Sequence, residues 1–386
     1  MSKPIYISPI SSRSGYGDCS RDIAKVLLDI YDNSLSFLNT SWGSCPNTEL
    51  DNPTEFNNRV RSSLVNTPGT DSDITYQVAL PSEFKKIGKV NVGISAGLEF
   101  TRWPDEFILG CNKMDKIIVH SEFTKNELIN SNTKCTTDIQ VVFQSVDETY
   151  TTEQSKYNIS ECIVTELLDT IPETFCFLSM GIVTQDNDRK NIKKTIDLFQ
   201  HTFSDTDHDT ALVLKISGPK YNTKNYLFLK EFVNKINSNY KKPKSVYLLY
   251  GNFTPRELKT LYTNSKIKSM VSLTHGEGFG RPLLEASVVG LPIIASNWSG
   301  HLDFLPPEFV QLVSGSTENV NSKIPHTTEE SRWFSPDYDH AENCMVDTIQ
   351  NYAGHKENAK ILSKQNSDKY TYQNMKNLYN SVISDM

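Results

Sequence analysis

Short apolar runs alternate along this chain with stretches in which apolar residues recur every three or four positions. Ile5-Tyr6-Ile7 is the first such run, and Ile23, Val26, Leu27 and Ile30 behind it have helical spacing. The alternation continues with strands predicted over 90–94, 115–121 and 141–143. Between the last two, Ser121 caps a helix start, with Glu122 at its first position and Thr124 at its third. A second series starts with a buried strand over 175–181, followed by a helix carrying Ile192, Ile196 and Phe199. Strands over 210–217 and 246–250 flank a helix over 226–237. Thr254, Pro255 and Glu257 form the N-cap, first and third positions of another helix. The final helices span about 340–384 and carry Tyr352, Ile361, Leu362 and Tyr370. Strand after strand separated by helices is the signature of an α/β fold with parallel sheets.

Two stretches break the rhythm. Residues 40–75 are polar, with Pro46, Pro53, Pro68 and Gly69, and predict a surface excursion with a helix over 56–64. Residues 148–172 predict a linker with one helix over 162–168 ahead of Pro172.

Two strand–turn–helix units have glycine-rich turns. The first is Ser14-Gly15-Tyr16-Gly17, where a doubly wound domain puts its first phosphate-facing loop. The second begins where the apolar run 270–273 ends, in Thr274-His275-Gly276-Glu277-Gly278-Phe279-Gly280, with Arg281 and Pro282 opening a helix. Such a turn aims backbone N–H groups and the positive helix end at one spot, which suits a phosphate. Glycines let a ligand approach the backbone closely. Glu277 in the turn and Glu285 in the helix can accept hydrogen bonds from sugar hydroxyls beside that phosphate.

The segment from Glu277 to Glu285 resembles the donor-binding motif of family 4 retaining glycosyltransferases. There, two glutamates flank a seven-residue segment beginning Gly-Phe-Gly-x-Pro. Gly278-Phe279-Gly280-Arg281-Pro282 fits it residue for residue, and the tail Gly290-Leu291-Pro292-Ile293-Ile294-Ala295-Ser296 fits too. The resemblance extends over nearly the whole chain and is strongest from 175 to 305. It implies the GT-B architecture, an α/β fold of two Rossmann-like domains with parallel sheets facing across a cleft. The expected division is 1–148, completed by the C-terminal helix at about 366–386, and 149–365 for the nucleotide-sugar side.

The same resemblance implies site roles. Glu277, Lys190 and Arg189 would be catalytic, the two cations neutralising the donor's diphosphate. Gly278, Phe279, Gly280, Arg281, Glu285, Gly15, Gly17, Asn252 and Asp303 would bind the donor, with 251–253 near the base. UDP-sugar is favoured over GDP-sugar, with no cofactor and no metal. Because cations at a helix start oppose its dipole, Arg189 and Lys190 are expected to need an anion there. The chain also departs from the family. An Arg expected after Gly181 is Ile182, the Gly before Val146-Asp147 is Ser145, and the acceptor-side His is missing from 95–99. Glu99 is the replacement in acceptor binding, together with Arg102, or else it only pairs with Arg102. His120 does not hold the family's His position and is expected to be structural.

Composition narrows the class. A 386-residue chain with 37% hydrophobic and 22% charged residues is a globular protein of two domains. No run reaches the ~18–20 apolar residues of a membrane span, and the N-terminus has no signal-peptide core. Seven scattered cysteines without a close pair fit reduced thiols in a cytoplasm. The abundance of Asn, Ser, Thr, Lys and Tyr suggests an AT-rich genome, such as that of a phage or virus. The strings Asp71-Ser72-Asp73, Asp186-Asn187-Asp188 and Asp205-Thr206-Asp207 lie in polar loops and are expected to be acidic loops rather than metal sites. There is no P-loop and no Gly-x-Ser-x-Gly elbow.

The acceptor is a saccharide, a lipid-linked sugar or a hydroxymethylated base in phage-type DNA. A net charge of −7, with 14 Lys and Arg against 18 Asp and Glu over residues 1–147, disfavours duplex DNA. A basic strip (Lys85, Lys86, Lys89, Arg102, Lys113, Lys116) speaks for it. A nucleotide-sugar epimerase and a non-catalytic nucleotide-sugar-binding module are the readings from other classes.

Overall fold

The computed structural model describes residues 4–68, 72–152, 162–183, 188–217, 222–320 and 324–386. The chain divides into two units. The first comprises Met1–Ser145, His326–Ser331 and Tyr372–Met386; the second, Val146–Pro325 and Arg332–Thr371.

The first unit runs β1 (Pro4–Ser8), α1 (Gly15–Tyr31), β2 (Ser36–Asn39), α2 (Glu55–Ser62), β3 (Ile74–Val78), β4 (Val90–Ser95), α3 (Asp105–Cys111), β5 (Lys116–Val119), α4 (Glu122–Ile129) and β6 (Asp138–Val141). Its six strands are all parallel, in the order β2-β1-β3-β4-β5-β6. Tyr6, Phe37, Tyr76, Val92 and Ile94 bury one sheet face under Ile23 and Leu27 of α1. His120 is buried within this unit, with Nδ1 at 2.9 Å from the Val142 carbonyl and Nε2 at 3.2 Å from Cys19 Sγ.

The second unit runs α5 (Glu148–Thr151), α6 (Ile163–Asp169), β7 (Phe175–Ile182), α7 (Ile192–Phe203), β8 (Thr210–Ser217), α8 (Thr223–Asn237), β9 (Val246–Tyr250), α9 (Pro255–Thr263), β10 (Ile267–Ser272), α10 (Arg281–Val288), β11 (Ile293–Ser296) and β12 (Gln311–Val313). A hairpin follows, β13 (Gly315–Asn319) with β14 (Arg332–Pro336), then α11 (Tyr338–Gln350) and α12 (Tyr352–Lys369). The sheet is again six parallel strands, ordered β12-β11-β10-β7-β8-β9. Its core packs Phe177, Leu212, Leu214 and Val271 against Ile196, Phe199 and Phe203 of α7. The last helix, α13 (Tyr372–Ser384), returns to the first unit, where Met375, Tyr379 and Val382 join the core beside α1.

Each sheet has one place where strand order reverses, and a doubly wound sheet binds ligands outside the carboxyl ends of its strands at that place. In the first unit it lies between β1 and β3, and β1 leads into the Gly15–Gly17 turn. In the second it lies between β7 and β10. There β7 leads toward Arg189 and Lys190, and β10 leads into the turn 274–280. The chemistry-bearing residues of the second unit converge because two strands far apart in sequence are neighbours at this point.

Candidate functional site

The centre of the second unit's site is Glu277. Its side chain is 8% exposed, and its carboxylate bonds Lys190 Nζ through Oε1. Arg189 Nη1 stands 3.5 Å from Oε2 and also donates to the Gly276 carbonyl. Burial alone would raise the Glu277 pKa, but the charges of Lys190 and Arg189 outweigh it and bring it down to about 2. The carboxylate is therefore ionised at neutral pH and too weak a base to take a proton from an alcohol. Two cations thus face the Glu277 carboxylate. Arg189 and Lys190, at 26% and 20% side-chain exposure, keep part of their surface open to a ligand.

The backbone on both sides of Glu277 is clamped. Glu277 N donates to Ser299 Oγ (2.9 Å), and Gly300 N donates to the Glu277 carbonyl (2.9 Å). A side chain at position 300 would collide with the Gly278 carbonyl, so only glycine lets the two turns meet. Ser299 holds φ +83, a left-handed conformation costly for a serine. The turn also fixes the Arg189 backbone, since His275 N (2.9 Å) and Thr274 Oγ1 (3.2 Å) donate to its carbonyl. Buried His301 donates from Nε2 to the Ser296 carbonyl (2.7 Å), while Nδ1 has no hydrogen-bond partner among the described residues. Burial lowers the pKa of His301 and of His275, so both rings are neutral at pH 7.

Gly280 precedes α10 at φ +95, with Arg281 as the first helical residue and Pro282 as the second. No side chain among the described residues caps this helix. A Cβ on Gly280 would lie 2.9 Å from His301 Cβ. A substitution therefore strains the turn itself, beyond any block to a ligand. Phe279 is buried against Phe304 and Tyr370, with ring centroids 5.3 and 6.3 Å away. Its ring anchors the turn, so any donor contact falls to its backbone. Glu285 is buried as well, taking a hydrogen bond from Tyr262 Oη (3.1 Å) and facing Arg281 Nε at 3.4 Å.

The premise that Arg189 and Lys190 stand at the start of α7 requires correction. The helix starts only at Ile192, after Asn191 in a left-handed conformation (φ +57). Its first N–H groups, on Ile192 and Lys193, donate to the Asp188 carboxylate, each at 2.8 Å. Asp188 thus answers the dipole, and Glu277 is the anion that the two cations meet. The Asp-Asn-Asp string hid this cap; its first two residues, Asp186 and Asn187, lie outside the described residues, as does Asp71. Among the described residues no group of three or more His, Cys, Asp or Glu side chains could hold a metal ion.

Other residues singled out from the sequence lie on other elements. Asn252 is exposed just beyond β9, three strands from β10 across the sheet. Half-buried Asp303 ends the short turn that starts at Gly300, and its carbonyl accepts from Tyr370 Oη (2.9 Å). Ile182, at the end of β7, is 49% exposed.

In the first unit, Ser14 caps α1 by accepting from Gly17 N (3.1 Å). A Cβ on Gly17 would collide with the Ser12 carbonyl, whereas one on Gly15 would meet nothing within 4 Å. The Arg102 guanidinium goes to the Asn130 carbonyl (2.9 Å) and Asn132 Oδ1 (3.3 Å). The Arg102 carbonyl takes the hydroxyls of Thr328 and Ser331, tying 326–331 to this unit. Half-buried Glu99 follows β4 in the same region.

Two doubly wound parallel sheets with these switch points define the GT-B class of α/β proteins. Residues 178–324 match the family model described as "Glycosyl transferases group 1". The second unit thus carries a glycosyl transferases group 1 domain, which supports a glycosyltransferase enzyme. Solved structures share the fold at low identity. Sucrose-phosphate synthase from Thermosynechococcus elongatus is 12% identical, with TM-score 0.64 and 100% of both chains covered. A glycosyltransferase from Rickettsia africae is 12% identical, with TM-score 0.64 over 100% of this chain and 98% of that one. An E. coli trehalose-6-phosphate protein bound with UDP-2-fluoro glucose is 10% identical, with TM-score 0.63 over 100% and 99%. No curated protein matches the sequence.

Proposed function

We propose that this enzyme transfers a sugar, with retention of configuration, from a nucleotide-sugar to an acceptor hydroxyl, and that it takes UDP-sugars in preference to GDP-sugars. The observation carrying this reading is that Arg189 and Lys190, both partly exposed, meet at Glu277 at the strand-order reversal, beside a helix start that no side chain among the described residues caps. A diphosphate supplies the charge that such a place attracts. The UDP-sugar in one fold neighbour supports the choice of nucleotide.

The mechanism in this reading is the one that the family resemblance implies. Glu277, held near 2, does not serve as a general base. The acceptor oxygen forms its bond to the sugar's anomeric carbon on the face that the diphosphate leaves. The carbon–oxygen bond to phosphate breaks with its electron pair on the phosphate, and a phosphate oxygen takes the acceptor's proton. The protein contributes charge stabilisation through Lys190 and Arg189, and orientation through the glutamates.

A saccharide or lipid-linked sugar is the acceptor this reading favours over duplex DNA. Lys85, Lys86 and Lys89 precede β4, and Lys113 and Lys116 precede or open β5, so they gather at the amino-terminal edge of the first sheet. The Gly15–Gly17 turn and Glu99 lie at the opposite edge, where ligands bind. Lys89 and Lys116 are also paired, with Asp73 and Asp138. The seven cysteines are thiols, which suits a reducing cytoplasm. No helix among the described residues is long and apolar enough to cross a membrane.

The test is a screen of nucleotide-sugars for release of nucleoside diphosphate, with oligosaccharides and with hydroxymethylated DNA as acceptors, in the presence of EDTA. Release from a UDP-sugar without added metal, stimulated by an oligosaccharide, is the expected result. Loss of transfer on chelation that Mg²⁺ or Mn²⁺ restores would refute metal independence. Epimerised sugar without acceptor would show the other reaction class, and stimulation by DNA the other acceptor.

A further inference from the structure

The polar excursion that follows β2 is tied down where it begins. Thr40 N donates to the Ser8 carbonyl (2.9 Å), and Ser11 N donates to Asn39 Oδ1 (3.1 Å). Arg13 N donates to the Pro46 carbonyl (2.9 Å), and Glu49 N to the Ser11 carbonyl (3.0 Å). Residues 40–49 are thereby stapled along the turn between β1 and α1. Between these ties Trp42 opens a tight turn. Its carbonyl accepts from Cys45 N (3.1 Å), and Gly43 holds φ +50. Asn47 Nδ2 donates to Ser41 Oγ (3.0 Å).

This turn delivers the indole onto Tyr16. The two rings stack with centroids 3.7 Å apart and planes 17° from parallel. Tyr16 is itself fixed. Its ring packs against the core of the unit, and its Oη accepts from Ala96 N and meets Ser95 Oγ, each at 3.3 Å. Trp42 is half-buried and stands outside that core packing. The stack lies where β1, β2 and β4 end, at Ser8, Asn39 and Ser95. That is the carboxyl edge of the sheet, beside its strand-order reversal, where a doubly wound sheet takes ligands.

The surroundings decide what such a platform takes. Residues 39–48, Asn-Thr-Ser-Trp-Gly-Ser-Cys-Pro-Asn-Thr, contain no charged side chain. The nearby Arg13 is met by Glu49 at 3.4 Å. A nucleic-acid groove needs cations that track the phosphates as well as rings for the bases. A pyranose needs no such charge. One of its faces presents C–H groups made slightly positive by the neighbouring oxygens, and its rim presents hydroxyls. The C–H face suits the negative face of an aromatic ring. Ser41, Ser44 and Asn47 bring hydroxyl and amide groups to the same loop for the rim. A ring pair held in place before the ligand arrives lowers the ordering cost of binding.

We propose that Trp42, held against Tyr16, is a stacking platform for a neutral pyranose ring of the acceptor. This rests on the glycosyl-transfer reading above and assigns its acceptor side to named residues.

The experiment labels the full chain with 5-fluorotryptophan. Its four tryptophans give four fluorine NMR signals, and Trp42→Phe identifies that of Trp42. Cellotetraose, maltotetraose, chitotetraose and a single-stranded oligothymidine are titrated in turn, with UDP calorimetry on the same samples. The Trp42 signal should move with at least one tetrasaccharide and stay in place with the oligothymidine. Trp42→Ala should weaken that tetrasaccharide roughly tenfold, the scale of one aromatic face lost from an apolar contact. Trp42→Phe should fall between, and both variants should bind UDP like the parent. A Trp42 signal that no tetrasaccharide moves, in a chain that binds UDP, overturns the platform and leaves the donor reading standing. Absence of UDP binding by the parent removes the donor reading, while the Trp42 signal still decides the platform. Movement with oligothymidine alone overturns the saccharide assignment. Equal losses for saccharide and UDP in Trp42→Ala show a structural role and overturn the proposal. Should Trp42→Ala fail to fold, the parent's Trp42 signal and the Trp42→Phe affinities decide in the same way.

Discussion

The two glycine-rich turns have the same sequence logic and opposite finish. Both follow a strand at the strand-order reversal of a parallel sheet, and both open a helix. In the first, Ser14 fills the helix start with its own hydroxyl, and Gly17 is small because the Ser12 carbonyl occupies the space. In the second, no side chain caps α10, Gly280 holds φ +95, and two cations gather at a buried carboxylate. A glycine can thus serve backbone packing or a strained turn beside a binding site, and spacing alone does not tell which. The difference lies in the helix start: a serine side chain caps α1, and no side chain among the described residues caps α10.

Exchanging the glycines breaks the comparison most sharply. Gly280→Val combines a left-handed backbone with a Cβ 2.9 Å from His301 and should take donor binding below detection by calorimetry. Gly15→Ala has open space and should bind donor like the parent. Ser14→Ala should cost about 1 kcal/mol of stability, a loss of a cap, without changing donor affinity. Donor binding by Gly280→Val equal to that of Gly15→Ala would erase the distinction.

The glutamates sharpen it. Glu285→Ala should weaken free nucleoside diphosphate roughly ten- to a hundredfold, the value of one or two charge-assisted hydrogen bonds. Glu277→Gln should lower kcat without lowering diphosphate affinity, because it removes the negative charge facing Lys190 and Arg189. Equal losses of diphosphate affinity in the two variants would contradict the separate roles.

The smallest effect is on stability against pH. His275 and His301 have folded pKa values below the unfolded value of about 6.5, so the unfolded chain binds more protons as the solution is acidified. Their contribution is intact above about pH 6.5 and is lost as pH falls toward the folded values. Glu277 adds a second loss only between about pH 4.5 and its folded pKa of about 2. The melting temperature should therefore decline from pH 7 to 5.5, and less steeply in His301→Asn. Identical slopes in parent and variant would show that His301 does not titrate as a buried neutral ring.

Much of the fold was legible because its signals are local. The Thr254-Pro255-Glu257 start of α9 and the Ser121 cap of α4 are contained in a few consecutive residues. The site was legible as far as its motif is continuous, from Glu277 to Glu285. The partners were not. Lys190 reaches Glu277 across 87 positions, and Tyr262 reaches Glu285 across 23, joined only by the sheet order. Ser299 gives no hint of its φ of +83, since glycine is the residue that signals such a backbone. Polar, exposed β13 shows no alternation of apolar residues to mark it as a strand of the hairpin.

The central claim is that Arg189 and Lys190, which meet at the buried Glu277 carboxylate, hold a diphosphate. Calorimetry of UDP against UMP, with GDP against GMP in parallel, tests it in the parent and in Lys190→Gln. The account predicts that the preferred diphosphate binds the parent at least about tenfold tighter than its monophosphate, the value of one charge-assisted contact, and that the gap closes in Lys190→Gln. Equal affinity for mono- and diphosphate in the parent, or an unchanged gap in the variant, would contradict it.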